Sequence, residues 1–383
     1  MTSFRLPSKW ITRLVRPQIE GFEPYLPGRS MECVRRERGL RRIIKLASNE
    51  NPLGPSIRGL AAVSRAHKSF YLYPDGDSAS LRKAIAKKWS VAPERVIVGA
   101  GSDELIELLG KTFLAPNDSI VVSDHAFTRY RMAGELMGAD VVTVPMRHYS
   151  HNLSAMGHAV RPNTKMVFVA NPNNPTGTYN TQFELEHLLQ HVAALEAKQK
   201  RRILVVADEA YYEYAKALQR DYPDTMKLQK RFPNLVILRT FSKIYALAGL
   251  RAGYAFADPL VIEALDRVRP PFNMNTAAQV AAEASLSDAG QVTRGINLIK
   301  AERRKMLPAL ARMGLPVVPS VANFILIDVS PRQGRQVFEA LLDRGVIVRS
   351  VDEYGFRNHI RVTYGLPDQN QTFLKALREV LAA

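Results

Sequence analysis

Cysteine is almost missing from this chain of 383 residues: Cys33 stands alone, which excludes an internal disulfide and fits a reducing, cytoplasmic setting. No apolar run approaches the about 18 residues that a membrane helix needs, so no membrane partner is expected. Acid is also short, with 36 Asp and Glu against 53 Lys and Arg, for a formal net charge of +17. The basic residues are spread out, apart from Arg35, Arg36, Arg38, Arg41 and Arg42 and a second patch from Lys198 to Arg202. Neither patch interleaves aromatics as a single-strand binder does, so the charge reads as a solvated basic surface and no nucleic acid is expected. No acid precedes Glu20, yet residues 1–19 lack the apolar core of a secretory signal and read as a basic lead-in to the fold. No metal site is expected.

What is present suits a globular enzyme: 46% hydrophobic and 23% charged residues, on a length that calls for a large domain plus a smaller one. Residues 17–29, rich in Pro and Gly, read as an extended arm. From Ile43 onward strands and helices alternate. Strand patterns at 43–48, 95–99, 119–123, 140–144, 165–170, 203–207, 235–238 and 252–257 are spaced by helices at 56–69, 81–89, 105–113, 129–137 and 182–198. Ser80 reads as the cap of the helix at 81–89, and Ile57, Leu60 and Ala61 as the apolar face of the helix at 56–69. Unbroken apolar strands between helices mean an α/β fold with a mostly parallel sheet covered on both faces. After residue 270 the pattern changes to helices at 277–285 and 293–313 and strands at 322–329, 345–349 and 359–363, a smaller α+β domain with the arm beside it. The expected division is 1–48 for the arm and part of the small domain, 49–272 for the large domain and 273–383 for the small one.

Polar motifs follow the carboxyl ends of the large-domain strands, where such sheets bind ligands. Leu238-Arg-Thr-Phe-Ser-Lys-Ile-Tyr-Ala-Leu-Ala-Gly-Leu-Arg251 offers Lys243, whose amine can bond to an aldehyde, with Ser242 and Arg251 to hold a phosphate nearby. Gly101-Ser-Asp-Glu104 opens a helix whose free N–H groups favour a phosphate dianion, or is an ordinary cap. Asp208 ends a buried strand, where an unpaired carboxylate is costly.

Asn171-Pro-Asn-Asn-Pro-Thr-Gly177, Asp208-Glu-Ala-Tyr211 and Thr240-Phe-Ser-Lys…Gly249-Leu-Arg251, in that order and spacing, resemble the fold-type I pyridoxal-phosphate aminotransferases, and among these the histidinol-phosphate aminotransferases. The likeness runs from about Arg16 to the end. It implies pyridoxal 5′-phosphate as cofactor, covalently held by Lys243, which also carries the proton of the substrate carbon. It implies that Asp208 pairs with the cofactor's pyridine nitrogen and that Tyr211 and Asn174 reach its ring oxygen. Ser102, Asp103, Ser242 and Arg251 would form the phosphate cup, and Phe127 would stack on the ring, although His125-Ala126 stands where the family more often has Pro-Thr. Tyr73 would reach the phosphate of a neighbouring subunit, which implies a homodimer. Arg361 and Arg349 would bind the phosphate of histidinol phosphate, or the carboxylate of glutamate, with Tyr25 of the arm near the substrate. The implied reaction is ping-pong exchange between glutamate/2-oxoglutarate and histidinol phosphate, in histidine biosynthesis. An aromatic amino-acid aminotransferase, a pyridoxal-phosphate decarboxylase of a phosphorylated amino acid, and a non-catalytic basic binding protein are the other readings.

Overall fold

The computed structural model describes residues 14–20, 22, 24 and 28–382. Tyr25 and residues 1–13 of the basic lead-in fall outside them. Strand β1 (Ile44–Lys45) comes first, then the seven strands of the large sheet: β2 (Val96–Gly99), β3 (Ser119–Ser123), β4 (Asp140–Val144), β5 (Thr164–Ala170), β6 (Leu204–Asp208), β7 (Leu235–Thr240) and β8 (Gly253–Phe256). Their order is β2-β8-β7-β6-β5-β3-β4, parallel throughout except for β8, which runs against both its neighbours. Alternate side chains feed two apolar layers: Val167, Val169, Val205 and Ile237 on one face, Phe168, Val206, Val236 and Leu238 on the other. Helices on both faces cover them, as the unbroken apolar strands require.

The C-terminal third adds β9 (Val317–Val318), β10 (Phe324–Asp328), β11 (Val346–Ile347), β12 (Arg349–Ser350) and β13 (His359–Thr363). The sheet β12-β13-β10-β9 is antiparallel, while β1 pairs in parallel with β11 and so ties the N-terminal segment to this part of the chain. Val34, Ile43 and Ala47 pack with Leu342 and Ile347. The arm is not uniformly extended, for Pro17–Glu20 is a short helix and Arg16 donates to the Leu136 carbonyl of the large sheet's cover at 2.9 Å. Ser80 is not a cap. The helix runs Ala79–Trp89, and the Asp75 carboxylate takes the Ala79 N–H at 2.7 Å.

In helix Ile57–Ala66 the buried residues are Gly59 and Ala62, whereas Ile57 and Leu60 face outward. The reason is close approach. A Cβ on Gly59 would lie 2.8 Å from Ser285 Oγ of the helix Thr276–Leu286, so the small residues, not the bulky ones, mark the packed face.

Candidate active site

A cavity of about 480 Å³ opens where the carboxyl ends of β2, β3, β5, β6 and β7 meet the small sheet. Ser102, Asp103, Phe127, Asn174, Asp208, Tyr211, Ser242, Lys243, Arg251, Arg349 and Arg361 all line it. Of the residues singled out in the sequence, Tyr73 does not. It is 82% exposed and stacks on Phe272 at 4.7 Å, among other outward apolar residues such as Tyr71 and Leu72.

Lys243 leaves the strand β7 through Ser242. Its Nζ donates to the Ser48 carbonyl at 3.4 Å and lies 5.7 Å from the centre of the Tyr211 ring. Burial lowers its amine to a pKa of about 8, and the positive charge of Arg361 works in the same direction. Asp208, at the end of β6, takes the Tyr130 hydroxyl on Oδ2 at 2.8 Å and the Ala210 N–H on Oδ1 at 3.1 Å. Burial raises its carboxyl to about 6 against those two bonds. Tyr211 accepts from Asn49 Nδ2 at 2.8 Å.

At the far end, Ser102 begins the helix Ser102–Phe113, so its first N–H groups lack partners within the helix. Arg251 swings beside it and donates to Ser242 Oγ at 3.4 Å. Gly101 has φ +87°, and a Cβ there would lie 2.5 Å from Arg251 Nη2. A Cβ on Gly253 would run into the Ser102 nitrogen. Both glycines therefore leave a cradle of N–H donors and guanidinium that suits a phosphate group. Asp103 does not oppose this, because Arg129 Nε holds its carboxylate at 2.6 Å. Arg129→Gln is expected to weaken binding of a phosphate-bearing cofactor about three- to fivefold, since it frees a negative charge at a helix N-terminus. Asp103→Asn in the same chain should restore it, as titration of the apoprotein would record.

Arg349 and Arg361 are register partners across the antiparallel strands β12 and β13. Arg361 donates to the Asn174 side chain and to the Ala47 carbonyl (2.6 Å), and its buried Nε has no hydrogen-bond partner among the described residues. Arg349 is held by Glu353, through Nε at 3.1 Å and Nη2 at 2.5 Å. The cavity thus has an aldehyde-reactive amine, a buried carboxylate, an aromatic wall and a phosphate cradle within one small volume. That set fits pyridoxal 5′-phosphate: Lys243 could meet the aldehyde, Asp208 the ring nitrogen, and Ser102, Ser242 and Arg251 the phosphate.

Three site residues escaped sequence reasoning. Tyr130 stands three residues after Phe127 in the same segment and closes the hydrogen bond to Asp208. Arg129 neutralises Asp103. Asn49 reaches Tyr211 across 162 positions of sequence.

The model of the family Aminotransferase class I and II matches residues 41–377. The histidinol-phosphate aminotransferase of Moorella thermoacetica is 45% identical over 368 residues, 96% of this chain and 93% of that one. That of an Anaeromyxobacter species is 46% identical over 371 residues, covering 97% of this chain and 100% of its own. Among solved structures, histidinol-phosphate aminotransferase from Sinorhizobium meliloti, in complex with pyridoxal 5′-phosphate, aligns with a TM-score of 0.86 at 26% identity, over 96% of this chain and 97% of that chain. A fold-type I sheet, a lysine, a buried aspartate and a phosphate cradle in one cavity thus agree with a match along nearly the whole chain: it belongs to the class I and II aminotransferases, enzymes that work with pyridoxal phosphate.

Proposed function

We propose that this enzyme transfers the amino group between histidinol phosphate and 2-oxoglutarate, a step of histidine biosynthesis, by a ping-pong mechanism. The observation that carries the reading is the pair Arg349 and Arg361, held opposite one another on β12 and β13 with both side chains lining the cavity. Like charges directly opposite in a sheet repel. Glu353 already offsets the Arg349 charge, and an anion between the two guanidinium groups would engage both; a phosphate monoester or a second carboxylate supplies that charge.

Bound pyridoxal phosphate supplies an aldehyde that carries the amino group and a ring that accepts electrons. The protein does the rest. Ser102, Ser242 and Arg251 would grip the phosphate, Asn174 and Tyr211 would address the ring oxygen, and Phe127 would cover one face. Asp208 holds a proton at the ring nitrogen. Lys243 Nζ would take the proton from the substrate's amino-bearing carbon. An amine whose pKa lies near 8 is suited to that exchange near neutral pH.

The substrates are small molecules. A homodimer is part of the same reading, supported by the exposed apolar surface at Ile57, Leu60, Tyr71 and Leu72, with Tyr73 reaching the site of a second copy. So is a cytoplasmic setting, supported by the lone Cys33.

The test is an assay of the purified enzyme with histidinol phosphate, phenylalanine and tyrosine, each against 2-oxoglutarate. Histidinol phosphate is expected to dominate. Arg349→Gln should cut its kcat/KM by roughly 10- to 100-fold, the worth of a charge-assisted hydrogen bond, and leave phenylalanine nearly untouched. Equal turnover of phenylalanine, insensitive to Arg349→Gln, would instead assign the enzyme to aromatic amino acids.

A further inference from the structure

We infer that Tyr130 is a positioning residue for Asp208: its hydroxyl fixes the carboxylate that the proposed function pairs with the cofactor's ring nitrogen, and the inference rests on that function. Tyr130 sits in the first turn of the helix Thr128–Leu136 and is 1% exposed. Its ring lies flat on Phe168 of β5, with centroids 4.9 Å apart and planes 13° apart, and it meets Phe127 edge-on at 5.8 Å. Its hydroxyl crosses 78 positions of sequence to Asp208 Oδ2 at 2.8 Å.

Packing alone does not account for that hydroxyl. A layer between Phe127 and Phe168 is filled as well by phenylalanine, and a buried hydroxyl without a partner is a cost. Here the partner is the carboxylate itself. With the Ala210 N–H on Oδ1 and Tyr130 on Oδ2, each oxygen of Asp208 has one donor, so the carboxylate plane cannot turn freely about its broad terminal torsion. A hydrogen bond to the charged form also favours the charged form. Tyr130 thus keeps Asp208 ionised and aimed, and through Phe127 the same residue supports the aromatic wall.

Tyr130→Phe removes one oxygen atom and leaves the ring stacking intact. The apoprotein should therefore stay folded and unfold within a few degrees of the wild-type temperature. The Kd for pyridoxal phosphate should rise about tenfold, as expected for losing one hydrogen bond to a charged group. A ring nitrogen less firmly protonated draws fewer electrons, so the pH midpoint of the bound cofactor's visible absorption should move up by about half a unit or more. In an Asp208→Asn background the same substitution should change the Kd less than about twofold, because the hydroxyl then has no carboxylate to hold. A Tyr130→Phe enzyme with wild-type Kd and midpoint overturns the inference, as does an undiminished effect in the Asp208→Asn background. Wild-type protein that stays colourless with excess cofactor overturns both the inference and the function it rests on.

Discussion

Lys243→Arg is expected to lower kcat for transamination by roughly 10⁴-fold, the upper end of what a positioned acid–base group contributes. The guanidinium keeps the positive charge and much of the length. It cannot lose its proton near neutral pH, and it does not bond stably to the cofactor aldehyde. Charge and size are thus nearly preserved while both chemical roles disappear. Borohydride reduction of the wild-type holoenzyme should fix the cofactor on the peptide that contains Lys243, and the variant should release it on dialysis. Label on any other lysine would sink the assignment.

The wild-type amine carries its own pH signature. Only the neutral amine attacks an aldehyde, and burial together with Arg361 sets its pKa at about 8. Capture of pyridoxal phosphate by the apoprotein should accelerate as pH rises through 8 and level off above it, followed by stopped-flow absorbance. Because the Arg361 charge lowers that pKa, Arg361→Gln should move the midpoint upward.

The large sheet was legible because its central strands are apolar on both faces and end in polar motifs. β5 and β6 reveal themselves by Met166-Val-Phe-Val and Leu204-Val-Val-Ala, where no alternation competes with the strand reading. Short helices were not legible. Leu153–His158, Tyr212–Leu218 and Thr225–Arg231 span two turns or fewer, too little for a helical period to stand out. The run at 345–349 hid a break, since Val346–Ile347 pairs with β1 and Arg349 already belongs to another sheet. That break is what brings Arg349 opposite Arg361.

Within the site, the legible residues were those announced by a motif with its own chemistry: a lysine after a strand, an aspartate ending one, a glycine before a helix. Tyr130, Asn49 and Arg129 hydrogen-bond to Asp208, Tyr211 and Asp103. Their identity follows from which loops the fold brings together, and one sequence does not state that. The bulky face of helix Ile57–Ala66 is a related case. Periodicity marks apolar residues without saying whether they meet the core, and here Gly59 and Ala62 allow the closer packing.

Asp208→Asn should separate stability from function. The carboxyl is pushed from 3.8 to about 6 by burial, so the folded apoprotein binds its proton more tightly than the unfolded chain does. Between about pH 4 and 6 the native state retains a proton that the unfolded state has lost, and stability falls as pH rises through that window. Above it the full penalty of a buried charge remains, on the order of 1–3 kcal/mol for a shift of this size. Asparagine has nothing to ionise, so the Asp208→Asn apoprotein should be more stable than wild type by about that amount at pH 7, with a flatter profile from pH 4 to 6. Urea unfolding at several pH values measures both. The same variant should lose roughly 10²- to 10³-fold in kcat, the usual effect of deleting one preorganised electrostatic partner at a reacting group. Added pyridoxal phosphate should stabilise wild type far more than the variant, because the ring nitrogen's positive charge gives the buried carboxylate the partner that the apoprotein lacks. An Asp208→Asn apoprotein less stable than wild type, or one that binds the cofactor equally well, would show that the carboxylate is held for the fold and not for the ring.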